Sequence, residues 1–347
     1  METPVRRAEL TLLYDNVDIS VDVAPYIEAF EYNDVMDGRY TDDITIVLDD
    51  KEGRWKSEWF PDHGAKLTAR LTCLDWPGGH VLECGTFEVD DLQFGGPPST
   101  FTIGALAAGI SSSLRRELVN KAWENLTVKE IAQEVAKKHG FGLVFDVRSE
   151  LVKIDRYDQR DQSDLQMLCD IAEERGLAVK VGDGAITIFE ELFYESQEPQ
   201  ITLTYGGRDD ENYYFKLPTD EVYTACEVQY LDPKQRLLLS YLHEADASEW
   251  SGRKPRSGYV LKLKERCTCK AEAQTKARAA LRAKNKREVT GYVDQLGNPQ
   301  IFAGMIAKVK GYGRVDAGKY LIERVGHRRD KKGGYTTTAH VRGVLNF

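Results

Sequence analysis

Apolar and polar residues alternate so regularly over the first hundred positions that helix is excluded for most of them. In DDITIVLDD, residues 42–50, Ile44, Ile46 and Leu48 are separated by polar positions. In KLTARLTCLDW, Leu67, Ala69, Leu71 and Cys73 fall on one side, and Val17, Ile19, Val21 and Val23 repeat the pattern upstream. Residues two apart share a face only in a strand, so each run predicts a strand with one buried and one wet face. VLECGTFEVDDLQF and STFTIGAL continue the series, with Gly, Pro and Asp between the runs. Five or six such strands predict an antiparallel barrel or sandwich over residues 1–110, with Ile44, Ile46 and Leu48 filling it.

The period then changes to 3.6. Thr127-Val-Lys-Glu130 is a capping box, followed by Val128, Ile131, Ala132 and Val135 on one helical face and by Gly140 at the C-cap position. A second unit starts at Ser163 or Asp164, presents Leu165, Leu168, Cys169 and Ala172, and stops at Gly176. Two short strands turning at Gly182-Asp-Gly184 complete a small α/β module over 111–192. Strand alternation returns from 193 to 347, interrupted by one Ala-rich helix at 270–287. The expected fold class is therefore α+β, predominantly β: two antiparallel β-barrels with a small α/β module between them.

Residues 297–327, GNPQIFAGMIAKVKGYGRVDAGKYLIERVGH, test whether glycine marks a phosphate loop or the corners of a sheet. A dinucleotide loop needs G-x-G-x-x-G between strand and helix. Asp316 occupies the third glycine position and would repel a phosphate, and KYLIERV reads as strand. The stretch predicts a hairpin of IAKVKGY with KYLIERV, with Gly304, Gly311, Gly313 and Gly318 as structural turns. No catalytic, cofactor or metal set emerges. The histidines, His63, His80, His139, His243, His327 and His340, form no H-E-x-x-H, and Cys267-Thr-Cys269 lacks zinc spacing. The carboxylate pairs Asp42-Asp43, Asp49-Asp50, Asp90-Asp91 and Asp209-Asp210 read as turns and solvated faces, and no Ser/His/Asp set is visible. The six cysteines match no disulfide framework and read as reduced thiols. METPVRRAEL lacks a signal-peptide core, and FTIGALAAGI is about half a membrane span, so a cytoplasmic protein is expected.

Charge is segregated along the chain. Residues 1–110 carry a net −13, residues 111–250 a net −12, and residues 251–347 a net +16. This predicts ends that face different partners, or each other across a subunit boundary. Lys276, Arg278, Arg282, Lys284, Lys286 and Arg287 offer a basic inter-subunit face, and Asp42, Asp43, Asp49 and Asp50 an acidic one. The alternative use of the basic third is nucleic-acid binding by a regulatory protein, through residues 270–287. The acidic whole, pI near 5.4, and the lack of a recognition motif weigh against it.

Taken in order, several stretches resemble the phage tail baseplate hub proteins of the late control D type. That family is related to the first part of type VI secretion spike proteins. The stretches are DDITIVLDDKEGRW with FPDHGAKL, LTVKEIAQEVAKKHGF with DQSDLQMLCDIAEERGLAVKV, AEAQTKARAALRAKNKREVTGYVDQLGNPQIFAGMIAKVKGYG, GKYLIERVGH and GYTTTAHVRGV. The resemblance implies that both barrels are related to tail-tube subunits. Three copies then give six barrels, joining a sixfold tube to a threefold spike. It implies a non-enzymatic assembly protein. Its partners would be the tail tube protein, the spike, the tape-measure protein and wedge or sheath-initiator proteins. It would be made in the host cytoplasm and carried in the tail. No spike-like OB-fold, β-helix, lysozyme or peptidase segment is recognised here, so spike and wall degradation are expected on other chains.

Overall fold

The structure is a computed structural model that describes residues 7–345, except 76–80, 108–111, 150–152, 183, 207–211, 219–221, 233–236, 247–257, 265–266, 268 and 332–333. His80, Asp209-Asp210 and part of the Gly182-Asp-Gly184 turn thus lie outside the described residues. The first part of the chain contains β1 (Arg7–Tyr14), β2 (Val17–Asp18), β3 (Ile27–Val35), β4 (Asp43–Asp49), β5 (Lys66–Leu74), β6 (Val81–Gly95) and β7 (Thr100–Ala107), with one short helix, α1 (Ser20–Val23). Ile44, Ile46 and Leu48 are buried at 1% exposure or less and pack with Phe30, Leu71, Phe87 and Phe101.

The run from Val17 to Val23 is not one strand. Asp15 and Asn16 turn the chain at positive φ. Ser20 then takes the Leu12 amide on its hydroxyl (2.9 Å) and donates its own amide to Asp18 (2.9 Å). These local bonds wind residues 20–23 into a helical turn and leave Val17 and Val21 exposed.

The middle module has α2 (Ser112–Arg116), β8 (Val119–Leu126), α3 (Val128–His139), β9 (Gly142–Asp146), β10 (Ile154–Gln162), α4 (Asp164–Glu173), β11 (Leu177–Gly182), β12 (Ala185–Glu190) and α5 (Glu191–Glu195). Both arms of the Thr127–Glu130 capping box form, and Gly140 closes α3 in the left-handed conformation. Ser163 caps α4. The helices pack Ile131, Val135, Leu168 and Ile171 on Val179 and Ile188. The β8–β10 pair is an addition to the sequence reading; its strands are polar on both faces and give weak alternation.

The last part contains β13 (Ile201–Thr204), β14 (Tyr213–Lys216), β15 (Ala225–Asp232), β16 (Leu237–Glu244), β17 (Val260–Lys264), α6 (Lys270–Asn285), β18 (Thr290–Leu296), β19 (Ile306–Lys310), β20 (Lys319–Asp330) and β21 (Gly334–Gly343). β19 and β20 form the expected antiparallel hairpin, Ile306 opposite Leu321. The expected single β unit with a helix is instead two units. β16, β15 and β17 form a separate three-stranded sheet, on which α6 packs Ala273, Ala277 and Leu281 against Cys226, Val228 and Tyr230.

Outside the module, whose β8–β10 and β9–β12–β11 sheets stand apart, the remaining described strands do not form two closed barrels. They join in one thirteen-stranded sheet, ordered β14-β18-β21-β20-β3-β4-β7-β6-β5-β1-β2, with β19 paired to β20 and β13 to β19. The halves are fused by an antiparallel ladder between β3 and β20, from Val35 opposite Arg324 to Ala29 opposite Asp330. Each half curls about its own core. In the second, Leu203, Val293, Val309, Ile322, Val325 and Ala339 meet inside. There Gln295 Nε2 donates to the Thr204 carbonyl (3.1 Å), bringing β18 to β13 without a ladder.

Candidate functional site

The β3–β20 seam is where the first half-sheet, the module and the second half-sheet meet. Asp34, 7% exposed, accepts from Lys180 of β11 (2.7 Å) and from the Ala303 amide (2.7 Å). One carboxylate thus ties the first half, the module and the second half together. Beside it, Arg324 donates to Asn33 Oδ1 (2.8 Å), and Asn33 donates to Asp43 (2.8 Å). His327 is buried between the Tyr335 hydroxyl (2.8 Å) and the Ile301 carbonyl (3.1 Å), stacked on Tyr32. Burial pushes its imidazole down to about 4, so it is neutral near pH 7.

A second node lies behind the seam. Glu191 and Glu195 stand one turn apart on α5, and Arg282 and Lys286 one turn apart on α6. Residues four apart share a helical face, so two carboxylates meet two cations. Arg342 of β21, with no exposed surface, enters between them: it donates to Glu195 (2.7 Å) and Glu323 (2.9 Å) and lies 3.4 Å from Glu191. Arg282 pairs with Glu195, and Lys286 with Glu191 at 3.4 Å. Three cations balance three carboxylates. Burial opposes the charge on Glu191, but Arg342, Lys286 and Arg282 hold its carboxyl below the usual range. The E-x-x-x-E and R-x-x-x-K spacings are visible in the sequence, but nothing in it says that they face each other.

This geometry corrects the expected charged faces. Arg282 is 4% exposed and belongs to the node. Lys276 turns to Glu174 (3.7 Å) and Glu272 (3.9 Å), and Lys286 to Glu191. Arg278, Lys284 and Arg287 remain exposed. Among the acidic residues, Asp50 is 2% exposed and accepts from the Trp55 amide (3.0 Å), while Asp42 accepts from the Val35 amide (2.8 Å) and Asp43 from Asn33. Asp49 pairs with Lys51 (2.6 Å). Carboxylates at strand ends find amides nearby, so three of these four are spent on the fold.

Of the glycines, Gly304, Gly311 and Gly313 take positive φ of 97°, 94° and 84°. Gly318 is extended, at φ −105°, a conformation open to any residue, so it is no glycine-requiring turn. The loop does hold an anion, its own: Asp316 accepts from the Gly311 and Tyr312 amides (2.8 and 2.9 Å).

The structure brings together a serine, a histidine and an aspartate unseen in the sequence. Ser113 lies 3.0 Å from His139 Nδ1, and His139 Nε2 lies 2.8 Å from Asp164. Asp164 also accepts from Lys138 (2.9 Å) and Gln159 (2.9 Å), and the His139 side chain is 2% exposed. With the carboxylate shared among three donors and the imidazole out of reach of substrate, the arrangement ties α2, α3 and α4 together. Among the described residues no group of three or more His, Cys, Asp or Glu could hold a metal. Cys267 is buried and Cys269, at the N-cap of α6, is exposed; neither lies in a strand.

No family model matches the chain. It is 27% identical over 339 residues to a protein named probable baseplate hub protein of Escherichia phage 186, spanning 86% of this chain and 84% of the relative. A protein of the same name from Escherichia phage P2 is 27% identical over 237 residues; the match spans 64% of this chain and 57% of that relative. Among solved structures, a tail protein from Neisseria meningitidis superposes with a TM-score of 0.69 at 13% identity, covering 97% of this chain and 96% of the other. The 43 kDa tail protein of prophage MuSo2 from Shewanella oneidensis gives 0.67 at 14% identity, covering 96% and 98%. An Escherichia coli type VI secretion component described as similar to T4 tail proteins gives 0.55 at 13%, covering 92% and 74%. By sequence, then, the chain is a homologue of two proteins named probable baseplate hub protein, and it shares its fold with solved tail proteins.

Proposed function

We propose that this chain is the structural baseplate hub of a phage tail or phage-derived contractile injection system. In this reading it is a trimeric symmetry adapter joining a hexameric tail tube to a trimeric central spike. The observation that carries the proposal is the seam: β3 and β20 fuse two curled half-sheets, each with its own core, into one sheet. Each half acts as a tail-tube-like barrel, although neither is closed by hydrogen bonds. Three chains then present six such units, and one ring matches both symmetries. Strand pairing of the kind seen at the seam would recur between chains and cover the outer strands. The further partners in this reading are the tape-measure protein and wedge or sheath-initiator proteins. The hub assembles in the host cytoplasm and stays in the tail.

Of the expected basic face, Arg278, Lys284 and Arg287 are left to meet the acidic first part of a neighbouring chain. Nucleic-acid binding by this helix is disfavoured by the same geometry, because Lys276, Arg282 and Lys286 already face carboxylates of the chain. Native mass spectrometry at low and moderate salt tests the reading. It should give a species of three times 39.2 kDa, weakened by salt and by Glu at positions 278, 284 and 287 together. A monomer at every salt contradicts trimerisation by this chain alone. A trimer indifferent to both removes the charge argument and leaves the adapter.

A further inference from the structure

The sheet of β16, β15 and β17 has an open edge beside a cavity. β17 pairs with β15, from Ala225 opposite Val260 to Gln229 opposite Lys264, and among the described residues nothing pairs with its other side. Alternate N–H and C=O groups along that side have no ladder to join, so the edge is a template for a further strand. α6 lies over β15 and β16 and leaves the flank of β17 partly bare. There a cavity of about 410 Å³ opens between Leu261 and Leu263 of β17, Ala280 and Ala283 of α6, and a far wall of α4 with Tyr157 of β10. Its volume falls in the range of ligand sites. The two helical walls are tied together: Lys276 of α6 reaches Glu174 of α4 at 3.7 Å.

The carboxylates of α4 that line the cavity are already answered within the chain. Arg39 meets Asp170 (3.1 Å) and Glu173 (2.5 Å), and Glu174 has Arg175 (3.3 Å) as well as Lys276. Lys262 and Lys264 differ. They alternate with the two leucines and so project from the opposite face of β17. Both are exposed, and among the described residues neither has an ion-pair partner.

We propose that the β17 edge and this cavity together take up an extended segment of another protein, one in which acidic and apolar residues alternate. The segment's backbone continues the sheet, its apolar side chains enter the cavity over Leu261 and Leu263, and its carboxylates stand beside Lys262 and Lys264. Each requirement answers one feature. An unpaired edge takes an extended backbone, the apolar floor takes one face of it, and two unanswered cations take the other. A cavity of this size walled by α4 has room for one strand and not for a further sheet, which sets a free segment ahead of a folded second copy.

The test is binding of fluorescein-labelled peptides to the full chain, followed by fluorescence anisotropy. The probe is Glu-Val-Glu-Val-Glu-amide. The controls are Lys-Val-Lys-Val-Lys-amide and two forms of the probe, one N-methylated at both valines and one at the second and third glutamates. Only one edge of an added strand faces β17. One methylation pattern should therefore weaken binding roughly tenfold, through lost backbone hydrogen bonds, and the other should leave it nearly unchanged. The lysine peptide should bind roughly fivefold more weakly than the probe, and Lys262→Glu with Lys264→Glu, both at exposed positions, should reverse that order. Absence of saturable binding, equal loss from both methylation patterns, or indifference to the two lysine substitutions overturns the proposal. So does a chain that self-associates on concentration and loses the peptide as it does so, which would assign the edge to a second copy. None of these results depends on whether the chain is a hub.

Discussion

Arg342 is held by two carboxylates of α5 and one of the neighbouring strand β20, and it has no exposed surface. The pairing is not a free gain, since a well-packed apolar residue often does as well as a buried ion pair. Its removal leaves Glu195, 1% exposed, with charge and fewer partners. Arg342→Met should therefore cost about 3–5 kcal/mol in urea unfolding. A loss under about 1 kcal/mol would mean that the node relaxes or admits water. His327 gives a pH signature. Its folded pKa, about 4, lies below the ordinary histidine value of 6.5, because burial disfavours the imidazolium. As pH falls through 6.5 the unfolded chain takes a proton that the native chain refuses. Its contribution is therefore fully present above that value and lost as pH drops towards 4. Between pH 7 and 5.5 this amounts to about 1 kcal/mol, before the carboxylates titrate. His327→Gln should flatten the change in urea midpoint over that interval; an unchanged slope would assign it to other groups. His340 and His243, also depressed by burial, add smaller slopes of the same sign.

Elements were legible where they were amphipathic and local. The Thr127–Glu130 box, the Gly140 cap and the Ile44–Leu48 strand all declared themselves through spacing, because each depends on neighbours within one turn or one pleat. Residues 17–23 failed that logic, since a serine hydroxyl competing for backbone amides outweighed the alternation. Polar β8 and β10 carried no period to read. α6 was found as a helix, but its Ala face could not say which sheet it covers, and that sheet proved to be its own. The charged node, the Asp34 tie and the Ser113–His139–Asp164 line join residues far apart in sequence, and no local pattern encodes such pairings. Contact between elements also fixes single glycines. Gly38 donates its amide to the Val179 carbonyl (2.7 Å), and a Cβ there would sit 2.5 Å from that oxygen. Gly38→Ala should push the module off the first half at a cost of about 1–3 kcal/mol. Faster amide exchange at β11 with β1–β7 protection intact would locate the damage at this contact. Uniform loss across both would place it elsewhere.

For the molecule as a whole, the charge segregation has a first use inside one chain. Arg328 pairs with Glu31, Lys331 with Glu28, Lys276 with Glu174, and Arg342 with Glu191 and Glu195. The basic third therefore clamps the acidic first part and module before any neighbour arrives, and only part of its charge remains for association. The fused sheet joins two curled halves, each with its own core, and the adapter reading stands on that arrangement. The direct test is electron microscopy of the purified, assembled protein viewed down its axis. The account predicts a ring of six similar lobes whose true symmetry is threefold, with the lobes alternating between the two halves of each chain. A ring of another order, or three lobes with the halves stacked along the axis, would contradict it.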